Sequence, residues 1–234
     1  MITTIHQPEH LPWLGFFDKM QQADLFVLLD NTQFAKDDFQ NRNRIKTANG
    51  PLWLTVPVYK KRRSIQRIID VEICNERNWQ ARCWSQIEQN YKKSLHFVEH
   101  RSFFEKLYQT EWTKLVDLNI AIIRYLAQAF GIDTKLVTAS ELGVETAGAT
   151  EVNLEICQAV DASVYISGKM GQTYLDEPLF QASGIEVIYQ DFQHPEYPQL
   201  WGDFTSHMSA IDLLFNCGEK SLDIVINANK VVEA

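Results

Sequence analysis

The sequence predicts an α/β protein with a Rossmann-like parallel sheet and a helical insertion. Apolar runs of strand length alternate with helical patterns near both ends of the chain, which is typical of parallel strands joined by crossover helices. Longer helical patterns dominate the middle. With 234 residues, 45% of them hydrophobic, the chain can bury a substantial core. We therefore expect one sheet to which both ends of the chain contribute strands.

The first strand–helix–strand unit lies within the first thirty residues. β-Branched residues without a helical period predict a buried strand over residues 2–6. Pro8 and Pro12 follow, and a proline in the first turn is compatible with a helix over residues 13–22. The apolar run 23–30 is short enough to be a second strand of a parallel sheet.

A hairpin is predicted next, over residues 42–58. Asn49-Gly50 lies between two runs of strand-forming residues, a strong signal for a tight hairpin turn. A basic, solvated loop is predicted at residues 60–64, and a further strand at residues 68–74.

Helical patterns then fill the centre of the chain. They cover residues 78–93 and 103–130, and the second has a break near Glu111. We expect a largely helical insertion at about residues 75–131. Because no linker rich in Gly, Pro or Ser is present, we expect a single domain over residues 1–234.

The alternation of strands and helices resumes after the insertion. Strands are predicted at residues 134–140, 162–168 and 185–192. Helices are predicted between them, at residues 149–160 and 172–183. This second run can join the first in one parallel sheet.

Composition excludes several classes of protein. The net charge of −8 argues against a general nucleic-acid-binding role. No apolar run reaches the ~20 residues of a membrane-spanning helix, and the first residues lack the positive leader of a secretory signal, so we expect a cytoplasmic protein. The four cysteines form no CxxC pair and should be thiols.

The first candidate site follows the first strand. His6, Gln7, Glu9 and His10 come directly after it, and ligands of open parallel sheets bind outside the carboxyl ends of the strands. The prolines would fix the orientation of these side chains. The alternative is a turn packed on the core. A metal bound through His6 and His10 is disfavoured because no third ligand is evident, so we expect no metal site.

The second candidate site follows the second strand. Amide, carboxylate and cationic side chains suited to hydroxyls, phosphates or carboxylates are concentrated there. They are Asp30, Gln33, Lys36, Asn41, Arg42, Asn43 and Arg44. A solvated hairpin is the alternative.

Two further candidates lie late in the chain. Ser167, Gly168, Lys169 and Gly171 stand between a predicted strand and a helix, where glycines permit close backbone approach and a lysine can meet a phosphate. The spacing is not that of a Walker loop. His194 lies in an aromatic, proline-stiffened segment that suits small polar ligands, or that packs over the core.

Four segments together resemble the WbqC-like protein family. They are HQPEHLPWLGFFDKM, DNTQFAKDDFQNRNRIKT with WLTVPV, YISGKMGQTYLD, and DFQHPEYPQLWGDF with SAIDLLFNCG. They span nearly the whole chain in one order. His10 departs from the aromatic residue expected there, which makes it a poor candidate for an essential group. The family is bacterial and is often encoded among genes for O-antigen, lipopolysaccharide and other surface polysaccharides.

A second similarity is architectural. A histidine turn after the first strand and a lysine-bearing Gly/Ser loop after a late strand resemble the HIGH-type nucleotidyltransferases. In those enzymes the two elements grip ATP phosphates. HQPEH departs from HIGH, and SGKMG matches only part of the second motif. The similarity concerns ancestry and ligand class, and it makes ATP a candidate cofactor.

The resemblance implies an enzyme that transfers a small acyl or aminoacyl group, with glycyl as the candidate, to a nucleotide- or lipid-linked sugar. His6 is our candidate for the base or a phosphate contact, with Gln7 orienting it. Arg42, Arg44 and Lys169 would hold phosphate or carboxylate, and Asp30 and Asn43 would bind hydroxyls or an amine. No covalent intermediate is expected. The donor could be activated by ATP or arrive as a thioester.

Two alternatives to an enzyme remain at this stage. One is a non-catalytic module that binds a nucleotide sugar or a partner enzyme in polysaccharide assembly. The other is a tRNA-binding protein, which the acidic balance disfavours and the basic run 60–64 favours.

Overall fold

The structure is a computed structural model that describes residues 1–35, 38–59, 66–146 and 148–228. The basic run 60–64 therefore lies outside the described residues. The strands are β1 (Ile2–His6), β2 (Leu25–Leu28), β3 (Arg42–Thr47), β4 (Gly50–Thr55), β5 (Lys135–Thr138), β6 (Val164–Ser167) and β7 (Glu186–Tyr189).

The α-helices lie between and after these strands. They are α1 (Leu14–Gln21), α2 (Trp79–Tyr91), α3 (Phe97–Gln109), α4 (Leu115–Phe130), α5 (Ala149–Ala159), α6 (Glu177–Ala182), α7 (Ala210–Cys217) and α8 (Ser221–Asn227). Short 3₁₀ segments occur at Ile68–Asp70, Asn75–Arg77, Lys169–Thr173 and Gly218–Lys220.

Five parallel strands form the central sheet in the order β5-β2-β1-β6-β7. Counted along the chain without the hairpin, this is the order 3-2-1-4-5 of a doubly wound sheet. The predicted Rossmann-like parallel sheet is confirmed. The same order occurs throughout such folds, so the HIGH-type relationship stays a prediction.

Helices cover the sheet on both faces, which explains why its strands are apolar. Side chains alternate along β2: Phe26 and Leu28 pack into one buried apolar cluster, and Leu25 and Val27 into the other. The first cluster contains residues of α1, α4 and α7, and the second contains residues of α5 and α6. Strands buried on both sides carry apolar residues at consecutive positions.

The hairpin is a separate two-stranded antiparallel sheet of β3 and β4, with Thr47 paired to Gly50. Gly50 has a φ of +94°, which is unfavourable for residues with a side chain, so the glycine is required by the turn. The predicted hairpin is confirmed.

The strand predicted over residues 68–74 is wrong. Ile68–Asp70 forms a 3₁₀ turn, in which the Val71 amide donates to the Ile68 carbonyl. Only isolated bridges follow, from Ile73 to Val58 and from Glu72 to Lys114. The segment is β-branched and apolar because it is buried between residues 57–59, which follow the hairpin, and residues 113–115, where α4 begins; no continuous strand partner is present among the described residues.

The helix predicted over residues 172–183 is also shorter than expected. Residues Lys169–Thr173 form a 3₁₀ turn, and α6 starts only at Glu177. Pro178 lies in the first turn of α6. A proline has no amide hydrogen and clashes with the carbonyl four residues earlier, so a helix that contains it begins close to it.

The helical insertion contains α2, α3 and α4. The predicted break near Glu111 falls between the end of α3 at Gln109 and the start of α4 at Leu115. The single-domain organisation over residues 1–234 stays a prediction.

Candidate functional site

The carboxyl ends of β1 and β6 meet at the centre of the sheet. The chain leaves β1 towards β2 on one side and leaves β6 towards β7 on the other, so strand order reverses between them. Thr4 Oγ1 donates to the Ile166 carbonyl at 2.7 Å and ties the two strands together. Such a reversal leaves a crevice at the carboxyl ends, which is where ligands bind in open α/β sheets.

A cavity of about 790 Å³ occupies this position, and we call it the switch-point cleft. Six of the residues predicted from sequence line it: His6, Gln7, Ser167, Gly168, Lys169 and Gly171. Rings line it too, from Trp13, Tyr165, Tyr174 and Phe192. The cleft therefore combines flat apolar surfaces with cationic and amide groups, the usual lining of a small-molecule site.

His6 lies at the end of β1 and both of its ring nitrogens have partners. Nε2 lies 3.0 Å from Glu9 Oε1, and Nδ1 lies 3.0 Å from Lys19 Nζ. The ring packs edge-on against Phe16, with centroids 5.0 Å apart. Burial, with a smaller contribution from Lys19, lowers the pKa of His6 below its ordinary value. At neutral pH the imidazole is therefore neutral, with orientation fixed from both sides.

Lys19, which the sequence analysis did not select, is the unexpected residue of the site. It lines the switch-point cleft, yet only 2% of it is exposed. Lys19 Nζ lies on the buried side of α1 and donates a hydrogen bond to the Ile5 carbonyl at 2.9 Å. Burial lowers the pKa of Lys19 to about 7, and the Glu9 charge offsets this only in part. The spacing from Phe16 to Lys19 is three residues, one helical turn, which places both on the same buried face.

The loop after β1 is held by buried amides from distant parts of the chain. Asn119 Nδ2 donates to the carbonyls of Pro8, at 3.0 Å, and Gln40, at 2.8 Å. Asn43 Nδ2 donates to the Leu11 carbonyl at 2.7 Å. The density of prolines and polar residues at the chain start is thus explained: this loop is packed within the fold and presents His6 in one orientation.

Gln7 connects the cleft to its neighbour. Its Oε1 accepts from Gln40 Nε2 at 2.6 Å, and its Nε2 donates to Thr32 Oγ1 at 3.3 Å. The side chain therefore has a fixed position. Gln7 also lines a second cavity of about 650 Å³, which we call the side chamber.

The side chamber is lined by amides, hydroxyls and one charge of each sign, together with apolar residues. The lining includes Asn31, Thr32, Gln33, Arg67, Glu145, Thr146 and Asn153. Gln7, Leu29, Asn153 and Tyr174 are shared with the switch-point cleft, so the two cavities adjoin. Of the predicted residues beyond Gln7, Gln33 is the one placed here.

The turn after β6 forms the other wall of the cleft. Ser167 is buried, and the Gly171 amide donates to the Gly168 carbonyl at 2.8 Å, which closes the turn. A Cβ on Gly171 would collide with Ser167 Oγ, so glycine is required there for close packing. No atom of the described residues lies within 4 Å of a Cβ on Gly168. Lys169 is exposed at the mouth.

Three predicted residues near the second strand hold the structure together. Both carboxylate oxygens of Asp30 accept hydrogen bonds from Ser140, from its amide at 3.0 Å and its hydroxyl at 2.5 Å. Asn41 Nδ2 donates to the Val56 carbonyl at 2.9 Å. Asn43 holds Leu11, as described above. These contacts join separate segments, and these residues are not among those that line the switch-point cleft or the side chamber.

The arginines of the hairpin lie away from the two cavities. The Arg42 guanidinium carbon is 4.4 Å from the centroid of the Trp53 ring, and that of Arg44 is 5.5 Å from it. Arg44 also donates to the His207 carbonyl at 3.1 Å. Their spacing of two residues on one strand puts both on the same face of the hairpin, over Trp53. Lys36 lies outside the described residues.

His194 belongs to a cluster of rings in the segment after β7. Its Nε2 accepts from the His207 amide at 3.0 Å, and its ring packs near Phe192, Tyr197 and Phe204. Phe192 lines the switch-point cleft and contacts Trp13. His194 therefore supports the wall of the cleft from behind.

The described residues form neither a cluster of metal ligands nor a helix that could span a membrane. Within residues 1–35, 38–59, 66–146 and 148–228, no group of three His, Cys, Asp or Glu side chains is placed to hold a metal ion. Over the same ranges, none of the helices is both long and apolar enough to cross a bilayer.

Comparison with known proteins agrees with the motifs. The model of the WbqC-like protein family matches residues 7–224. The protein named Uncharacterized protein Rv1507c, from Mycobacterium tuberculosis (strain ATCC 25618 / H37Rv), is 35% identical over 221 residues. The match covers 94% of this chain and 95% of the relative. No solved structure gives a significant match. Since both matches extend over nearly the whole chain, the chain belongs to the WbqC-like protein family.

Proposed function

We propose that the protein is an enzyme of bacterial surface-polysaccharide biosynthesis that transfers a small acyl or aminoacyl group to a sugar. Membership of the WbqC-like family supports the pathway. The observation that carries the reaction type is the chain Glu9–His6–Lys19, linked by two contacts of 3.0 Å at the switch-point cleft. Acyl transfer to an amine or hydroxyl needs a base beside the acceptor, and this chain supplies one.

The two adjoining cavities suit two substrates. The switch-point cleft offers rings from Trp13, Tyr165 and Phe192 and the charge of Lys169, which suit a donor with a flat group and a phosphate. The side chamber offers amides, hydroxyls and the Tyr174 ring, which suit a sugar. The substrates would then meet at the residues that both cavities share. ATP is our candidate donor-activating ligand for the switch-point cleft.

Direct transfer without an acyl-enzyme is supported by the lining of the two cavities, which includes no cysteine among the described residues. Burial raises the pKa of both Cys83 and Cys157 to about 12, which keeps them protonated and poor nucleophiles. The hydroxyl of Ser167 donates to the Gly168 carbonyl at 3.2 Å, without a base beside it in the described contacts. We therefore expect the base to act on the acceptor itself.

The proposal is tested by turnover with a matrix of donors and acceptors. Glycine with ATP and glycyl thioesters serve as donors, and nucleotide-linked amino sugars serve as acceptors, with product detected by mass spectrometry. His6→Gln keeps a polar side chain but removes the titratable ring, and should lower turnover by about 10²- to 10⁴-fold while ligand binding persists.

His96→Gln is the matched control. His96 also pairs with a glutamate three residues later, with Nδ1 2.9 Å from Glu99 Oε1, but it lies at the start of α3. This variant should retain wild-type turnover. If the wild-type protein raises its melting temperature with nucleotide sugars but turns over no donor–acceptor pair, the protein is instead a binding module.

A further inference from the structure

The amine of Lys19 occupies an unusual position for a lysine. It is buried on α1, and within the described part of the chain no carboxylate lies within ion-pairing distance of Nζ. Its hydrogen-bond partners among the described residues are the Ile5 carbonyl at 2.9 Å and His6 Nδ1 at 3.0 Å. A buried cation without a paired anion is costly, which favours the uncharged amine.

The hydrogen-bond pattern assigns the protons along the chain. A carboxylate only accepts, so the contact between Glu9 Oε1 and His6 Nε2 places the ring proton on Nε2. His6 Nδ1 is then an acceptor and takes a hydrogen from Lys19. The Ile5 carbonyl takes a second one. A neutral amine has two hydrogens, and both are used, which leaves its lone pair unused.

We propose that Lys19 is the catalytic base of the switch-point cleft and that His6 and Glu9 carry the proton onwards from it. The inference rests on the acyl transfer proposed above and deepens it by assigning the base. Lys19 and His6 both line the cleft, and Glu9 is not among the residues that line it. The proposed order of proton transfer from the substrate is thus Lys19, His6, Glu9, which follows the two contacts.

The proton path balances without a further reactant. The acceptor amine or hydroxyl of the sugar attacks the acyl carbon of the activated donor, and its proton goes to the Lys19 lone pair. Lys19 passes a hydrogen to His6 Nδ1, and His6 passes its Nε2 proton to Glu9 Oε1. The new bond joins acceptor and acyl group, and the leaving group departs with the electron pair of the broken bond. The proton then returns from Glu9 through His6 to Lys19, which gives it to the departing group or to water in the cleft, and the three residues regain their starting state.

The charges around Lys19 agree with this role. Burial lowers the pKa of Lys19 to about 7, within the range that suits a base at neutral pH. Two carboxylates oppose this effect of burial. Glu9, from the loop after β1, raises the pKa of both Lys19 and His6, and Asp38, from the segment before β3, raises the pKa of His6. Neither pairs directly with the amine among the described contacts.

Competitive labelling with trace acetic anhydride tests the inference on the wild-type protein. The acetylation rate of each lysine is measured against pH by mass spectrometry, with N-acetyl-lysine amide as the reference amine. Lys19 should react in the folded protein and should reach half of its maximal rate about three pH units below the reference. Titration together with the reference amine, or no reaction at any pH until the protein is unfolded, would overturn the inference. Neither result depends on turnover.

Two variants separate a base from a positioning residue. Lys19→Arg keeps the hydrogen-bond donors but stays protonated throughout the working range. Lys19→Met keeps the length and removes the amine. A base predicts that turnover falls about 100-fold or more in both variants. Recovery of wild-type turnover in the arginine variant would assign Lys19 to orienting His6 only and overturn the inference. If the wild type has no turnover while Lys19 labels as expected, the proposed acyl transfer is wrong. Lys19 is then still shown to be a reactive amine with a lowered pKa.

Discussion

His6 Nδ1 accepts a hydrogen bond from Lys19 Nζ over 3.0 Å, at the end of the first strand of the sheet. The pair joins a buried amine of α1 to an imidazole that is itself paired with Glu9. Burial lowers the pKa of both partners, so near neutrality the imidazole is mainly uncharged and the amine, with a pKa of about 7, is present in both forms. The arrangement concentrates titratable groups where the fold leaves a crevice.

The burial of Lys19 predicts a stability that increases with pH above neutrality. The unfolded chain binds a proton on this lysine up to about pH 10.5, whereas the folded chain releases it near pH 7. The free energy of unfolding should therefore rise from pH 7 to pH 9, by about 2 kcal/mol more than in Lys19→Met. Urea unfolding at both pH values measures this. Lys135→Met, at an exposed position, is the control and should follow the wild type. Identical pH dependence in the Lys19 variant would contradict the prediction.

His10 predicts a loss of stability in acid. It is fully buried, and burial lowers its pKa to about 4. Between pH 6.5 and pH 4, His10 is protonated in the unfolded chain but stays neutral in the folded protein. The free energy of unfolding therefore falls as the pH falls through this range. The contribution reaches about 3 kcal/mol at pH 4. In His10→Phe the fall in unfolding free energy between pH 6.5 and pH 4, measured by urea titration, should be smaller by this amount. If the unfolding free energy of His10→Phe falls between pH 6.5 and pH 4 as much as that of the wild type, the pKa of His10 is not lowered by burial in this way.

The two glycines of the turn after β6 provide a matched pair. Gly171→Ala adds a methyl group that collides with Ser167, whereas the same change at Gly168 meets no described atom within 4 Å. The alanine at 171 should lower the free energy of unfolding by about 1–3 kcal/mol and weaken ligand binding at the cleft. The alanine at 168 should change stability by no more than about 0.5 kcal/mol. Chemical denaturation and calorimetric titration with ADP measure the two effects. Equal behaviour of both variants would contradict the described packing.

Asp30 gives a test between a structural and a catalytic carboxylate. Its two hydrogen bonds with Ser140 favour a structural role. In Asp30→Asn the amide can still accept from the Ser140 amide and donate to its hydroxyl. We expect a loss of about 1 kcal/mol in unfolding free energy, with turnover per folded molecule close to wild type. If the variant folds but loses nearly all of its turnover, the Asp30 carboxylate takes part in catalysis and its role is not only structural. Ser140→Ala controls for the hydroxyl contact alone.

Much of the fold was predictable because its strands are buried on both faces. Apolar runs such as residues 25–28 identify such strands, and the parallel order then places His6 and Ser167 at one edge. The strand predicted over residues 68–74 was wrong because these residues are apolar and β-branched as a result of burial and not of strand pairing. Pro178 was an available signal for the late start of α6.

The residues of the candidate site that directly follow a strand could be predicted from the sequence. Those whose positions depend on tertiary contacts with other parts of the chain could not. Ser167 to Gly171 follow β6 directly, so their place at the cleft follows from topology. Arg42 and Arg44 are positioned by Trp53 of their own hairpin, a contact that local sequence does not reveal. Lys19 was missed because a lysine in an amphipathic helix usually faces water, although its spacing from Phe16 places it on the buried face.

A crystal structure of the protein with ADP or a nucleotide sugar tests the central claim most directly. Electron density for the ligand is expected between the carboxyl ends of β1 and β6, within reach of both His6 and Lys169. Density elsewhere, with the space between these two side chains filled only by solvent, would contradict the account.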